Sequence, residues 1–571
     1  MDLIYWLKWA ITLVAIYLGS NWLLTFFIVY SKRDLSEVSL HEQSNITTVR
    51  RENETALYRN FLVPSGFPLT TGLGLAHGYK IRNGNFMDVW KAILEISSSN
   101  EGTITFDGKA YKPASINGMA KQVIEKLFAK DDYKGIGITT SLGTVQGFVF
   151  GIAAIINSIS RQSSSLSSSL LPHYLPSPPR QKIDDLDILV IDSWRTLSMM
   201  NQSEKWYKLI LVCSDEGRDS AKFDSNTKVM SWKELIEGYT DASELAYESP
   251  ADFSDDLKPF LMVTSLGNKT TTFNQLNLVS SIAAFIKTFP SGHELSSSDV
   301  LTLAYPATTD ADFSIQSWHK LLSVLLYGGS AEFIPESSLT SEKLKRTTLL
   351  CTSAKTLSNL FQAITKENPV SFMQNIKLSL AATLFSEGVF SKWAQFPITS
   401  LDKLRCIYVG VQLLKQDTIL SFDAKIPKFA SGQLNSRVTT VRLNEMRALF
   451  GSRIVLELYA PFAVMGPIAH TNFYDYRILP AVVDSNVTCF GPLSTSLEGK
   501  LIKTEGNEEL DIGKRQGMLC VRGFTIGRPN GELRLKQTSE LSERLAGGEG
   551  WMPLAGVFGL WGQDGCLYVY N

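Results

Sequence analysis

From Trp9 to Tyr30 the chain runs WAITLVAIYLGSNWLLTFFIVY without a charged side chain. As a helix this stretch is long enough to cross the roughly 30 Å hydrocarbon layer of a bilayer. Trp9, Trp22 and Tyr30 suit the interfacial belts or one helix face. A cleaved signal peptide is the rival reading. Its apolar region would be shorter, about 7–15 residues, and would close on small residues. Here Ser31-Lys32-Arg33-Asp34 follows instead, so a permanent anchor is expected over 1–31. Lys32 and Arg33 after the span against Lys8 before it favour a cytosolic bulk by the positive-inside rule. Five glycosylation sequons, at Asn45, Asn53, Asn201, Asn268 and Asn486, would matter only to a lumenal chain.

The remaining length suits several cores, at roughly 100–200 residues per domain. A hydrophobic content of 44% with 19% charge reads as globular, and a net charge of −1 gives no electrostatic case for nucleic acid. The six cysteines are scattered, without CxxC spacing or adjacent histidines, and read as reduced core thiols. The histidines show no metal spacing. His319 and His470 read as structural, and DFSDDLK and KIDDLD as solvated acidic turns or caps.

Residues 32–60 are polar and read as a tether. Beyond them, short β-type runs (YKGIGITT, DILVID, YKLILVC, PFLMVTS, VLTLAYP, KLRCIYV) alternate with helical patterns such as NGMAKQVIEKLFA and SWHKLLSVLLYGG. That alternation predicts doubly wound parallel α/β layers. FVFGIAAIINSI, Phe148 to Ile159, is too short to span and is expected as a buried helix. The Ser/Pro-rich segment 161–181 reads as a flexible insert. Past Arg453 the Gly-rich runs predict a β-rich, barrel-like subdomain.

One stretch carries the functional question. VTSLGNKTTTFNQLNLV, Val263 to Val279, follows an apolar strand and precedes an apolar helix pattern. A strand, a glycine-containing loop and a helix can cradle phosphates through backbone N–H groups and the helix N-terminus. After it come HELSSSDVLTLAYPATT and LLYGGSAEFIP. Upstream lie GYKIRNGNFMDVW and KVMSWKELIEGY; downstream lie LSLAATLFSEGVFSKW, LDKLRCIYVGVQL and GMLCVRG. In this order the chain resembles the long-chain acyl-CoA synthetases of the adenylate-forming, AMP-binding superfamily over about residues 60–571. The family has a TSGTTGxPKG loop, an N-L-V helix, an LPL strand and a YGG turn. The resemblance implies a large AMP-binding-like α/β region over 61–452, with 453–571 closing the α/β layer and forming the β-rich subdomain. It also implies the family chemistry: ATP and a fatty acid give an acyl-adenylate, and coenzyme A then takes the acyl group.

Position by position, the family's catalytic groups are replaced. Thr264 and Ser265 at one end and Asn277-Leu278-Val279 at the other bracket a loop three residues shorter than the family pattern. Lys269 or, with the gap placed elsewhere, Thr272 stands at the family lysine, and Gly267 is the one glycine of the loop. ELYAPFAVMGPI resembles the family's QGYGLTETCGP and puts Ala463 where the Mg²⁺-holding glutamate belongs. Tyr459 is then either an adenine-stacking ring or a core tyrosine. In GWMPLAGVFGLWGQDG, Val557 or Gly556 stands at the ribose-gripping aspartate, and Asp564 belongs to a following hairpin. The chain stops at Asn571, where the family continues into a mobile lid that carries a catalytic lysine. The expectation is a degenerate, lidless member with no catalytic residue, metal or cofactor. It would act as scaffold, regulator or lipid sensor in fatty-acid metabolism. The alternative is an active ATP- and Mg²⁺-dependent long-chain fatty acyl-CoA ligase with an atypical site. The expected partners are the bilayer through residues 9–30, a fatty acid or acyl-CoA, and another protein. The expected place is the endoplasmic reticulum, as a single-pass protein facing the cytosol, with a lipid droplet or another cytosol-facing membrane as alternatives.

Overall fold

The computed structural model describes residues 2–34, 40–49, 51–77, 80–128, 133–162, 170–218, 227–250, 253–265, 268–305, 316–367, 370–395, 401–413, 428–429 and 432–571. It begins with an α-helix over Asp2–Leu23, which widens into a π-helical turn over Leu24–Val29 and ends at Tyr30–Lys32. The stretch Ile4–Lys32 is long and apolar enough to cross a membrane. Most of its side chains are uncovered, with Trp6 69% and Tyr17 70% exposed, while Val29 near its foot is buried. At its foot the chain is tied to the globule. The Asp34 N–H donates to Gly388 O at 3.0 Å, and the Asp34 carboxylate accepts from Arg453 at 2.9 Å and from Tyr476 at 2.7 Å.

Three sheets form the globule. The first has the order Lys228–Ser231, Leu209–Ser214, Ile188–Ser193, Ile136–Ile138, Pro172–Tyr174, Pro259–Thr264, Thr270–Asn274, Arg528–Pro529. It is parallel up to Pro259–Thr264 and antiparallel beyond. The second runs Ala469–His470, Arg453–Tyr459, Cys406–Gln412, Leu349–Ser353, Val300–Tyr305, Ser330–Pro335, Ile104–Phe106, Lys109–Tyr111, with a parallel centre and antiparallel edges. All six β-type runs of the sequence supply strands to these two layers. Both faces are covered by helices, which is why the strands are apolar throughout rather than alternating. The 148–159 stretch lies inside a helix over Val145–Gln162, with Phe148, Ile152 and Ile155 wholly buried.

The third sheet is antiparallel, with Leu497–Ile502, Gln516–Gly523 and Met552–Trp561 at its centre. Among the described strands its order is open rather than closed into a barrel. Residues 32–60 are not a free tether. Ser44–Ile46 and Tyr58–Asn60 extend this sheet, with Tyr58 opposite Gly499 and its ring stacked on Trp561 at 4.2 Å. Polar composition hid the short apolar Ala56-Leu57-Tyr58, of which Leu57 and Tyr58 are buried.

The 161–181 insert needs a similar correction. Residues 163–169 lie outside the described residues, but Leu170 is buried and Pro172–Tyr174 is a central strand of the first sheet. The serine run masked the apolar LLPHYL that follows it.

Candidate functional site

The segment expected to cradle phosphate is a β-hairpin. Pro259–Thr264 and Thr270–Asn274 pair antiparallel, with Thr264 opposite Thr270. Gly267 lies outside the described residues. The described part of the turn spends its donors on itself. Ser265 N–H donates to Lys269 O at 3.0 Å, Asn268 N–H to Ser265 O at 3.0 Å, and Lys269 N–H to Ser265 Oγ at 3.4 Å. Asn268 takes the left-handed conformation, φ 57°, that Asn tolerates better than most residues. The Thr264 hydroxyl is bonded to His173 Nε2 at 2.5 Å and to the Thr270 hydroxyl at 2.7 Å. Thr272, the other candidate for the family lysine's place, is a strand residue between Met262 and Arg528.

The helix that follows does not open onto this loop. A five-residue strand separates them, and Gln275–Lys287 begins with a reciprocal cap. Asn274 Oδ1 accepts from Asn277 N–H, and Asn277 Oδ1 accepts from Asn274 N–H, both at 2.8 Å. The side chains of the cap itself thus take up part of the donor set a helix start can offer an anion. Asn277 also donates to Phe524 O and Ile526 O, at 2.8 and 3.1 Å, and so joins the helix to the segment that follows the strand Gln516–Gly523.

The second position is the turn after Arg453–Tyr459, at the carboxyl ends of the strands, where open α/β sheets usually bind ligands. Here Glu457 is 2% exposed and forms an ion pair with Lys320, itself 3% exposed, from the helix Trp318–Leu326. Tyr459 turns its hydroxyl inward, donating to Glu457 Oε2 at 2.9 Å and accepting from Lys320 Nζ at 3.1 Å. The Lys320 ammonium also lies 4.5 Å from the Tyr408 ring centroid. Burial, with the Glu457 carboxylate adding to it, holds the Tyr459 phenol well above its ordinary pKa.

Gln316 fixes the turn itself. Its amide donates to Pro461 O at 2.9 Å and Val464 O at 3.1 Å, while its oxygen accepts from Gly466 N–H at 2.6 Å. Gly466 has φ 83°, and a Cβ there would meet Ser281 Cβ at 3.3 Å. Ala463 is buried in this turn; its N–H donates to Ala460 O and its carbonyl accepts from Gly527 N–H, both at 2.8 Å.

The cavity left beside this cluster, lined by Tyr408, Glu457, Met465 and His470 among others, measures about 40 Å³. At 10–15 Å³ per water that is room for about three waters, whereas ligand pockets run to roughly 300–1,000 Å³. The hairpin faces a different space, a cleft of about 750 Å³ bordered by His173, Thr264, Asn268 and the 175–183 segment. The two cavities share no described lining residue.

The remaining expected positions are structural in their surroundings. Val557 is buried in Met552–Trp561, and Gly556 beside it has φ 84°. Asp564 caps the final hairpin, accepting from Arg477, from Tyr568 OH at 3.0 Å and from Cys566 N–H at 3.0 Å. Among the described residues, no group of three or more His, Cys, Asp or Glu side chains could hold a metal ion.

Sequence reading passed over Lys320 and took Glu457 only as a carboxylate at the wrong end of the turn to hold Mg²⁺. Their signal was a single charge inside each of two apolar runs, WHKLLSVLL and IVLELY, with opposite signs. It also took DFSDDLK as solvated. Asp256 is instead 1% exposed and accepts from Arg82 Nη2 at 3.0 Å and Asn83 N–H at 3.2 Å.

The fold resembles that of adenylate-forming enzymes. A luciferase-like enzyme from the mealworm Zophobas morio superposes with a TM-score of 0.53 at 14% identity, over 88% of this chain and 99% of that one. MatB from Rhodopseudomonas palustris gives 0.52 at 15%, over 85% and 78%. O-succinylbenzoate coenzyme A synthetase (MenE) from Bacillus subtilis gives 0.50 at 13%, over 84% and 78%. No protein-family model matches the sequence. The chain is 50% identical over 575 residues to uncharacterized protein YHR045W of Saccharomyces cerevisiae, covering 100% of both, and it belongs to the same family as that protein.

Proposed function

We propose that this chain is a membrane-anchored protein of acyl-CoA-synthetase-like fold that does not form acyl-adenylates. It acts instead as a scaffold, regulator or lipid sensor in fatty-acid metabolism at a cytosol-facing membrane such as the endoplasmic reticulum. The observation that carries this reading is the buried Lys320–Glu457–Tyr459 cluster. It fills the corner at the carboxyl ends of the second sheet and leaves only about 40 Å³.

The residues present do not fit magnesium nucleotide. Mg²⁺ wants near-octahedral oxygen ligands. Ala463 offers a methyl group, and the nearby carboxylate, Glu457, is committed to an ammonium and a phenol. At the hairpin, three backbone N–H groups are bonded within the turn. Losing one well-placed electrostatic stabiliser costs about 10²–10³ in rate. Several positions are altered together here, so turnover would fall to background even though such losses do not add.

The test is ATP-dependent thioester formation by the full-length protein in detergent, with long-chain fatty acid and coenzyme A. The proposed reading expects no product above the no-ATP control. Turnover that Lys269→Ala abolishes would instead establish an active ligase with an atypical site.

A further inference from the structure

The helix Phe372–Ser386, FMQNIKLSLAATLFS, is apolar on more than one side. Its inner face is satisfied: Ala381 and Phe385 pack with Ala394, Ala448 and Tyr476. Its outer face is not. Phe372 is 81% exposed, Met373 63%, Ile376 39% and Leu380 46%. A helix that is apolar all round is ordinarily covered all round, and contiguous exposed apolar patches mark interaction surfaces.

The foot of the N-terminal helix identifies the cover. Arg33 Nε donates to Glu387 O at 2.8 Å, the two side chains pair at 3.3 Å, and Asp34 N–H donates to Gly388 O at 3.0 Å. Glu387 is the C-cap of Phe372–Ser386. On a helix, positions 373, 376, 380, 383/384 and 387 follow one another along a single face. The apolar stripe therefore starts where Lys32 and Arg33 leave the membrane-crossing stretch. Trp393, 53% exposed, stands beside it with Lys377 Nζ 5.5 Å from its ring centroid. An indole and a lysine flanking an apolar strip suit the headgroup level of a bilayer.

The geometry points to a second membrane contact. Met373, Ile376 and Leu380, with Phe372 and Trp393, lie in the headgroup–acyl boundary of the same bilayer that the N-terminal helix crosses, and hold the globule against it. This rests on the membrane-anchored reading above. Immersion to about 5–10 Å is the depth such faces reach.

The experiment uses full-length protein reconstituted into phosphatidylcholine–phosphatidylserine vesicles, with an environment-sensitive fluorophore on one introduced cysteine at a time. The sites are Ile376→Cys, Leu380→Cys, Leu13→Cys in the anchor, and Lys109→Cys. Lys109 belongs to the last strand of the second sheet, six strands and about 29 Å from the Arg453 strand that holds the anchor's foot. Emission is read with and without nitroxide-labelled lipid. The expected result is strong quenching at 376, 380 and 13, with none at 109. Quenching at 13 with water-like, unquenched emission at 376 and 380 would overturn the contact and leave the anchor intact. Blue-shifted emission at 376 that lipid nitroxide does not quench would also overturn it, showing that a protein surface covers the helix. No quenching at 13 would remove the anchored reading itself, and this inference with it.

Discussion

The turn Tyr459–Pro467 and the hairpin around 264–270 stand where the family resemblance would put the two ends of one nucleotide, yet they are closed by different physics. The turn is blocked by charge and bulk, with a lysine, a glutamate and two tyrosines packed into a buried corner. The hairpin is closed by its own backbone and still borders an open cleft. On the proposed reading, the first position is filled by side chains and the second is a hairpin bonded to itself. Neither arrangement disturbs the apolar packing of the sheets.

The contrast is sharpest in stability. Lys320→Met would strand the Glu457 carboxylate in the interior, and breaking a buried pair from one side costs about 3–5 kcal/mol. Denaturant unfolding is expected to show a loss of that size. Lys320→Met combined with Glu457→Gln is expected to recover most of it. A loss near zero for the single variant would mean that the cluster is not the packed plug described here.

At the hairpin the corresponding effect is a pH dependence. Burial lowers the pKa of His173 from 6.5 to about 4, so the native state holds it neutral while the unfolded state protonates it. Stability is complete above pH 6.5 and is lost as pH falls toward 4, by about 3 kcal/mol over that shift. His173→Gln is expected to flatten this slope in part. Buried His319, its pKa also depressed by burial and by Lys320, adds loss in the same direction.

Smaller still is Gly466→Ala. It is expected to cost about 1–2 kcal/mol, because a Cβ is strained at φ 83° and crowds Ser281. The smallest effect belongs to Lys269→Ala, within about 0.5 kcal/mol of wild type and with no change in response to ATP. An ATP-dependent shift that this variant removed would reverse the ranking of the two regions.

The sequence made the two α/β layers legible because each parallel strand is an apolar run bounded by polar turns. It was less informative where pairing is long-range or apolar residues hide among polar ones. Tyr58 pairs with Gly499, and Pro172–Tyr174 follows a serine run. The hairpin escaped because TTTFN read as loop, although its burial alternates as a strand's does. Lys320 and Glu457 lie 137 positions apart, and only the topology that places a helix under a strand end brings their charges together.

The most direct measurement is thermal unfolding of the full-length protein with and without magnesium ATP. A ligand at about 100 times its dissociation constant would stabilise the native state by about 2.7 kcal/mol. The filled corner predicts no shift at any nucleotide concentration tested. A saturable, magnesium-dependent rise that Tyr459→Ala or Glu457→Gln abolishes would contradict it.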